Sequence, residues 1–303
     1  MLSPRMVRAM RGALVAVAVL AIGACGPAST APSTGGAPIP VLGAENFYGD
    51  LLAQIGGTRV TASSILSDPS ADPHEYEASP AAAKLVADSK LVIVNGIGYD
   101  DFMEKLLGAS TKPDRIVINV QDILGVKDDV NVHVWYDPAT MAKVADAVTA
   151  ALTKLDPQND AYFSEQKAKY LAALKPFTDK IAALKAKYAG APIAFTENVA
   201  GYLTDAIGLK VLTPPEFMEA IESGTDPAPA DVATERDLLT AQKVKALLYN
   251  SQVTSPLTEQ IRDLAVKNNV AVVAVAETIP PNLKTFQEWQ LAQLDELERA
   301  LAK

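Results

Sequence analysis

Residues 91–120 read LVIVNGIGYDDFMEKLLGASTKPDRIVINV. Two short apolar runs, Leu91-Val92-Ile93-Val94-Asn95 and Ile116-Val117-Ile118-Asn119-Val120, flank an amphipathic stretch from Tyr99 to Leu107. Continuous β-branched runs of this length suit strands buried on both faces, and a helical pattern between them is the crossover that joins parallel strands. The alternation extends upstream, with apolar runs at Ile39 to Leu42 and Val60 to Leu66 and helical patterns at Phe47 to Ile55 and Pro80 to Ala87. It returns after residue 190, with strands expected at Ile193 to Phe195, Val211-Leu212, Ala246 to Tyr249 and Ala271 to Val275. Helices are expected there at 199–207, 229–241, 256–268 and 285–301. The fold class is therefore α/β: two lobes, each a mainly parallel β-sheet flanked by helices.

Between the lobes, Gln158 to Ala189 is nearly all helix former, and Tyr162, Gln166, Tyr170, Leu174, Ile181, Leu184 and Tyr188 are spaced for one apolar stripe. At ~1.5 Å per residue this is one long rod, with a kink expected at Pro176, whose ring meets the preceding turn and whose nitrogen cannot donate. The expected organisation is a signal peptide at 1–24, a flexible tether at 25–38, an N-terminal lobe at 39–156, a linking helix at 157–189 and a C-terminal lobe at 190–303. One stiff crossover limits hinge motion, and the cleft between the lobes is the default ligand site.

Ahead of the first strand, Arg5, Arg8 and Arg11 precede an uncharged run from Gly12 to Ala24 that stops at Cys25. A helix over that run is roughly 20 Å long, short of the ~30 Å hydrocarbon core, so the segment reads as an export signal and not a membrane span. Ile22-Gly23-Ala24-Cys25 resembles the bacterial lipobox, in which small residues precede the cysteine that receives a lipid. Cys25, the only cysteine in 303 residues, is the expected lipid attachment site. The uncharged, aperiodic stretch from Gly26 to Gly36 then serves as a tether. These features place the protein outside the cytoplasm, anchored to the outer face of the bacterial cell membrane.

The chain carries 27 Lys+Arg against 36 Asp+Glu, a net charge of -9, and is 49% hydrophobic. That is ample for two folded cores. It lacks the basic face with which a nucleic-acid binder neutralises phosphates, so no nucleic acid is expected as a partner. A single cysteine provides neither an intramolecular disulfide nor a cysteine-based zinc site. The chemistry falls to histidines, carboxylates and hydroxyls.

Only two histidines exist, His74 in Asp72-Pro73-His74-Glu75-Tyr76-Glu77 and His133 in His133-Val134-Trp135-Tyr136-Asp137-Pro138. Both are expected where strands give way to helices, at the mouth of a parallel sheet. Neutral imidazole is the usual nitrogen donor for first-row divalent metals, and its second ring nitrogen needs a carboxylate or carbonyl to fix the tautomer. The sequence holds no His-Glu-x-x-His helix, Gly-x-Ser-x-Gly elbow or phosphate-binding glycine loop, which argues against an enzyme. Glu75, beside His74, is the one candidate base for a metallohydrolase. Asp137, followed by Pro138, fits a helix cap or an acceptor for His133, while Trp135 and Tyr76 fit the wall of the cleft.

These strings occur together with Glu45-Asn46-Phe47-Tyr48-Gly49-Asp50 after the first strand, Glu197-Asn198-Val199-Ala200-Gly201-Tyr202-Leu203, and the acidic Glu277 after the last strand. In this combination the chain resembles the TroA-like solute-binding proteins (solute-binding protein family 9), receptors of ATP-driven manganese and zinc importers. The resemblance covers essentially the whole chain beyond the tether. It implies a receptor, not an enzyme, that captures a divalent transition metal in the interlobe cleft and delivers it to an ABC transporter permease as a lipid-anchored monomer.

Carried over position by position, the resemblance implies metal ligands at His74, His133, Glu197 and Glu277. At the third position the family has His in many zinc receptors and Glu in many manganese ones; at the fourth it usually has Asp, so Glu277 is a departure that bears on denticity. Two imidazoles and two carboxylates give an N2O2 to N2O4 set, which moves preference toward Mn2+ or Fe2+ while Zn2+ still binds well. The His-rich acidic loop of many zinc receptors is reduced here to Gly125 to Asn131, with only Asp128 and Asp129 as acids. A surface adhesin is compatible with the same fold, and Asp226, with turn chemistry ahead of a helix, is the alternative fourth carboxylate.

Overall fold

The computed structural model describes residues 36–69 and 73–303; Cys25, Asp72, the expected signal peptide and most of the tether lie outside them. Two four-stranded sheets are built on one plan. In the first, β1 (Ile39–Glu45), β2 (Val60–Leu66), β3 (Leu91–Val94) and β4 (Ile116–Asn119) take the order β2-β1-β3-β4. In the second, β5 (Pro192–Phe195), β6 (Lys210–Val211), β7 (Ala246–Asn250) and β8 (Ala271–Val275) take the order β6-β5-β7-β8. Every pairing is parallel, so the carboxyl ends of each sheet's strands open on one edge, where open α/β sheets bind ligands. The interior strands β3 and β7 are buried along their whole length, as their apolar runs require.

Helices α1 (Asn46–Gly56), α2 (Pro80–Asp88), α3 (Phe102–Ala109), α4 (Val120–Leu124) and α5 (Thr140–Leu155) complete the first lobe. The long α6 (Asp160–Tyr188) follows, then α7 (Gly201–Ile207), α8 (Pro215–Glu222), α9 (Pro229–Thr240), α10 (Pro256–Lys267) and α11 (Phe286–Leu301) in the second. Several starts are fixed by side chains. Ser79 accepts from the Ala82 N–H ahead of Pro80, Ser255 and Thr258 form a reciprocal capping box around Pro256, and Thr285 accepts from the Glu288 N–H.

Four features depart from the sequence pattern. Helix α3 starts at Phe102 and not at Tyr99, because Gly96, Ile97 and Gly98 all take positive φ (74°, 59° and 77°) and leave Tyr99 in the turn ahead of it. The buried face of α6 carries Phe163 and Phe177 with Tyr170, Leu174, Ile181 and Leu184, while Tyr162, Gln166 and Tyr188 are only half-buried. Steps of four residues overrun a 3.6-residue turn, so the expected stripe drifts off the core. Helix α6 also runs unbroken through Pro176. Pro176 and Ala172, whose carbonyl loses its partner, are both exposed, so water can take the missing hydrogen bond. Finally, α4, α5 and α8 arise where no helix was expected, α4 beginning at Val120, the last residue of the run read as a strand.

Helix α6 packs against α1, α5, α7 and α11, and one apolar core runs from the first lobe past it into the second. It is thus a wall common to both lobes. Among the described residues, no helix is long and apolar enough to cross a membrane.

Candidate metal centre

His74 lies in a 3-10 turn (Pro73–Glu75) beyond β2, and His133 opens another (Val134–Tyr136) ahead of α5. Glu197 and Glu277 each sit two residues past a strand end, after β5 and β8. One lobe gives both imidazoles and the other both carboxylates. One donor atom from each residue lies within 4.8 Å of all the others. His74 Nε2 is 3.5 Å from both Glu197 Oε1 and Glu277 Oε2, and His133 Nε2 is 3.7 Å and 3.3 Å from the same two oxygens. Donors held about 2.1 Å from a tetrahedral ion are ~3.4 Å from one another, so the four contacts have the spacing of ligands around one cation. His133, Glu197 and Glu277 are fully buried, and the His74 side chain is 21% exposed at the rim. Asp226 is exposed and is not part of this cluster, and the Glu75 side chain lies outside the description.

Residues that the sequence did not single out hold these four in place. Asn131 Oδ1 lies 2.8 Å from His133 Nδ1 and also accepts from the His133 backbone N–H, while its Nδ2 donates to the Asn198 carbonyl at 2.6 Å. That last bond fixes which way the amide faces, so Nδ1 of His133 carries the proton and Nε2 points at the carboxylates. A Cβ on Gly201 would collide with Asn198 Oδ1 and come within 3.1 Å of Asn131 Nδ2; glycine there lets the two lobes meet. Tyr99 reaches over from the strained Gly96-Ile97-Gly98 turn and donates its hydroxyl to Glu277 Oε2 at 2.9 Å. Asn250 Nδ2 donates to Glu197 Oε2 and to Glu277 Oε1, each at 2.7 Å. Asp137 instead accepts from the Ala139 N–H, capping the turn before α5, and Trp135 walls the site with its ring 5.2 Å from His133.

The cluster holds protons tightly. Burial alone would lower the His74 pKa, but hydrogen bonds to Glu197 and Glu277 and their charges push it up to about 11. His133 rises for the same reason against its own burial, with Glu222 adding to the field. Burial raises Glu277, yet hydrogen bonds from His133 and His74 outweigh it and hold that carboxyl far below its ordinary range. Glu197, with burial dominant and Glu277 beside it, is raised. Burial and Glu277 push the Tyr99 phenol upward, so it stays a neutral donor. Positive charge is what this pocket is built to hold.

Two parallel sheets facing each other across a buried cluster of two imidazoles and two carboxylates define a cation-binding receptor. The chain belongs to the ZnuA family, zinc-uptake complex component A, periplasmic, whose model matches residues 41–300. It is similar to the high-affinity zinc uptake system protein ZnuA of Bacillus subtilis, 22% identical over 95% of this chain and 94% of that one. It is also similar to the manganese ABC transporter substrate-binding lipoprotein PsaA of Streptococcus pneumoniae, 24% identical over 73% of this chain and 75% of that one. In fold it matches the periplasmic zinc binding protein TroA from Treponema pallidum with a TM-score of 0.74, at 18% identity, over 88% of this chain and 100% of that chain. The protein is accordingly a non-enzymatic, extracytoplasmic solute-binding component of metal uptake, with a divalent cation as its ligand, and the metallohydrolase alternative falls away.

Proposed function

We propose that His74, His133, Glu197 and Glu277 ligate one divalent transition-metal ion, Mn2+ or Zn2+ with Fe2+ as a further candidate, and that the chain carries it to an ABC transporter permease. The observation that carries this reading is the convergence of two imidazole nitrogens and two carboxylate oxygens at 3.3 to 3.7 Å from sequence positions far apart. The manganese and zinc named for its relatives support the choice of ions. Relatives named as lipoproteins support lipid attachment at Cys25, with 1–24 as signal peptide and 25–38 as a tether to the membrane. The lobes at 39–156 and 190–303, joined by 157–189, then close on the ion as a monomer.

Metal binds only the folded chain, so melting should rise with ion concentration, by about 2.7 kcal/mol at a hundred times Kd. A melting temperature indifferent to Mn2+, Zn2+ and Fe2+ at neutral pH would end the reading. Cys25→Ser should abolish lipid labelling; labelled lipid on the variant would end the anchoring part alone.

A further inference from the structure

We infer that Asn250 is the positioning residue that sets carboxylate denticity, and through it makes the site four-coordinate and selective for ions that accept a tetrahedral N2O2 set, Zn2+ ahead of Mn2+. The inference rests on the assignment of His74, His133, Glu197 and Glu277 as ligands. The strand order puts Asn250 where it must be for this role. It ends β7, which lies between β5 and β8, the two strands that lead into Glu197 and Glu277. From there its one amide nitrogen reaches both carboxylates, donating to Glu197 Oε2 and Glu277 Oε1.

The orientation of that amide is not free. Asn250 Oδ1 accepts from the Gln252 N–H at 3.0 Å, so a flipped amide would set N–H against N–H and turn a carbonyl toward two carboxylates. The Asn250 backbone is pinned as well, its N–H donating to Thr196 Oγ1 at 3.0 Å. Each glutamate therefore has one oxygen held by the amide and one turned to the imidazoles. Glu197 Oε1 is buried and faces the two imidazole nitrogens at 3.5 and 3.7 Å. Glu277 Oε2 faces them at 3.5 and 3.3 Å and accepts from Tyr99 as well.

For either carboxylate to become bidentate, the oxygen that Asn250 holds must share its lone pairs between the ion and that N–H or swing away from it, and the fixed amide opposes the change. The four donors left are two nitrogens and two oxygens at tetrahedral spacing. Zinc is at home in such a set, whereas Mn2+ suits a larger shell of oxygen donors. The composition of the donor set favours manganese; the hydrogen bonds on its carboxylates favour zinc.

The test uses Co2+ as a spectroscopic probe, with Zn2+ and Mn2+ competition titrations, on the purified protein and on Asn250→Leu and Asn250→Ala, with folding checked by circular dichroism. Wild-type protein should give the intense visible absorption of four-coordinate Co2+. The variants should bind Co2+ with the weak absorption of a higher-coordinate ion, and their Zn2+-over-Mn2+ affinity ratio should fall about tenfold or more, in the range that outer-sphere partners command. A weak Co2+ spectrum in the wild type overturns the inference whatever the variants do, as does an unchanged spectrum and ratio in a folded variant. Uptake of Co2+ that persists unaltered in His133→Ala, or no uptake by the wild type at all, would overturn the ligand assignment itself and the inference with it.

Discussion

The two lobes are the same frame put to different uses. Strand order is identical, and the first strand of each leads into Glu-Asn, Glu45-Asn46 and Glu197-Asn198. Gly49, Leu51 and Ile55 in α1 then match Gly201, Leu203 and Ile207 in α7, and the third strands lead to Asn95 and Asn250. In the second lobe the glutamate faces the imidazoles and the asparagine steadies the carboxylates. In the first, Glu45 is buried beside Asp100, outside the cluster of imidazoles and carboxylates, and Asn95 directs its amide to the Val132 carbonyl, next to His133, while accepting from the Tyr48 hydroxyl. The first lobe brings its two imidazoles from loops, His74 and His133, and keeps its strand-end polar residues as scaffold. A strand end thus offers a position for chemistry, and the neighbouring loops settle whether the position is used.

If that division is right, the largest effects come from removing what faces the cleft. His133→Ala should lower affinity for every divalent ion by more than the ~10–100-fold that outer partners account for, with no third histidine to replace it. Competition titration would read this, and a loss as large in Asn95→Ala would break the distinction between donors and scaffold. Asn131→Ala should come next, within the ~10–100-fold range, because the His133 ring keeps its place in the wall but loses the acceptor that fixes its tautomer.

Proton release is a finer measure of the same asymmetry. In the metal-free cluster the carboxylates of one lobe hold the imidazoles of the other protonated, His74 to about 11. An incoming ion must displace those protons, so affinity should keep rising with pH through the neutral range and toward 11, where unperturbed imidazoles would level off near 6.5. The metal-free fold should respond in the opposite sense. A group whose pKa is higher in the folded state contributes stability that is complete below 6.5 and is lost as pH climbs through about 11. Calorimetry at neutral pH in two buffers of different ionisation enthalpy should show proton release with the ion, at the least that of His74. Release of none would mean that the imidazoles are neutral before the metal arrives.

Much of this centre was legible because its donors are scarce. The two histidines stood out as the only imidazoles in the chain, whereas Glu197 and Glu277 were marked only through the resemblance to the TroA-like receptors. The residues that hold them were hidden for a physical reason: their roles depend on contacts across the cleft. Tyr99 meets Glu277, and Asn131 meets Asn198, only once the lobes face each other. Asn250 alone left a trace, as the counterpart of Asn95 at the end of a third strand. Helix α5 was missed although Met141, Val144, Val148 and Leu152 mark one buried face at least as clearly as in helices that were recognised. The turn at Gly96-Ile97-Gly98 shows the reverse case, where a helical pattern begins at Tyr99 and positive φ at three successive residues postpones it.

The smallest effect is expected at Glu45, the counterpart of Glu197, and it separates the lobes most sharply. Burial first, and Asp100 next, raise its carboxyl well above the ordinary 4.5. An acid that holds its proton more tightly when folded makes the fold lose stability as pH rises above 4.5, because the unfolded chain ionises first. Glu45→Gln keeps the shape and the neutral state and removes that penalty. Its melting temperature should equal the wild type's in acid and exceed it by a few degrees at neutral pH, with metal affinity unchanged. Glu197→Gln, the matching change in the other lobe, should weaken metal binding instead, since a neutral amide replaces a charged donor facing both imidazoles. Should Glu45→Gln weaken binding as much, the buried carboxyl of the first lobe belongs to the cation's surroundings after all, and Tyr99, which feels both Glu45 and Glu277, would be the residue that connects them.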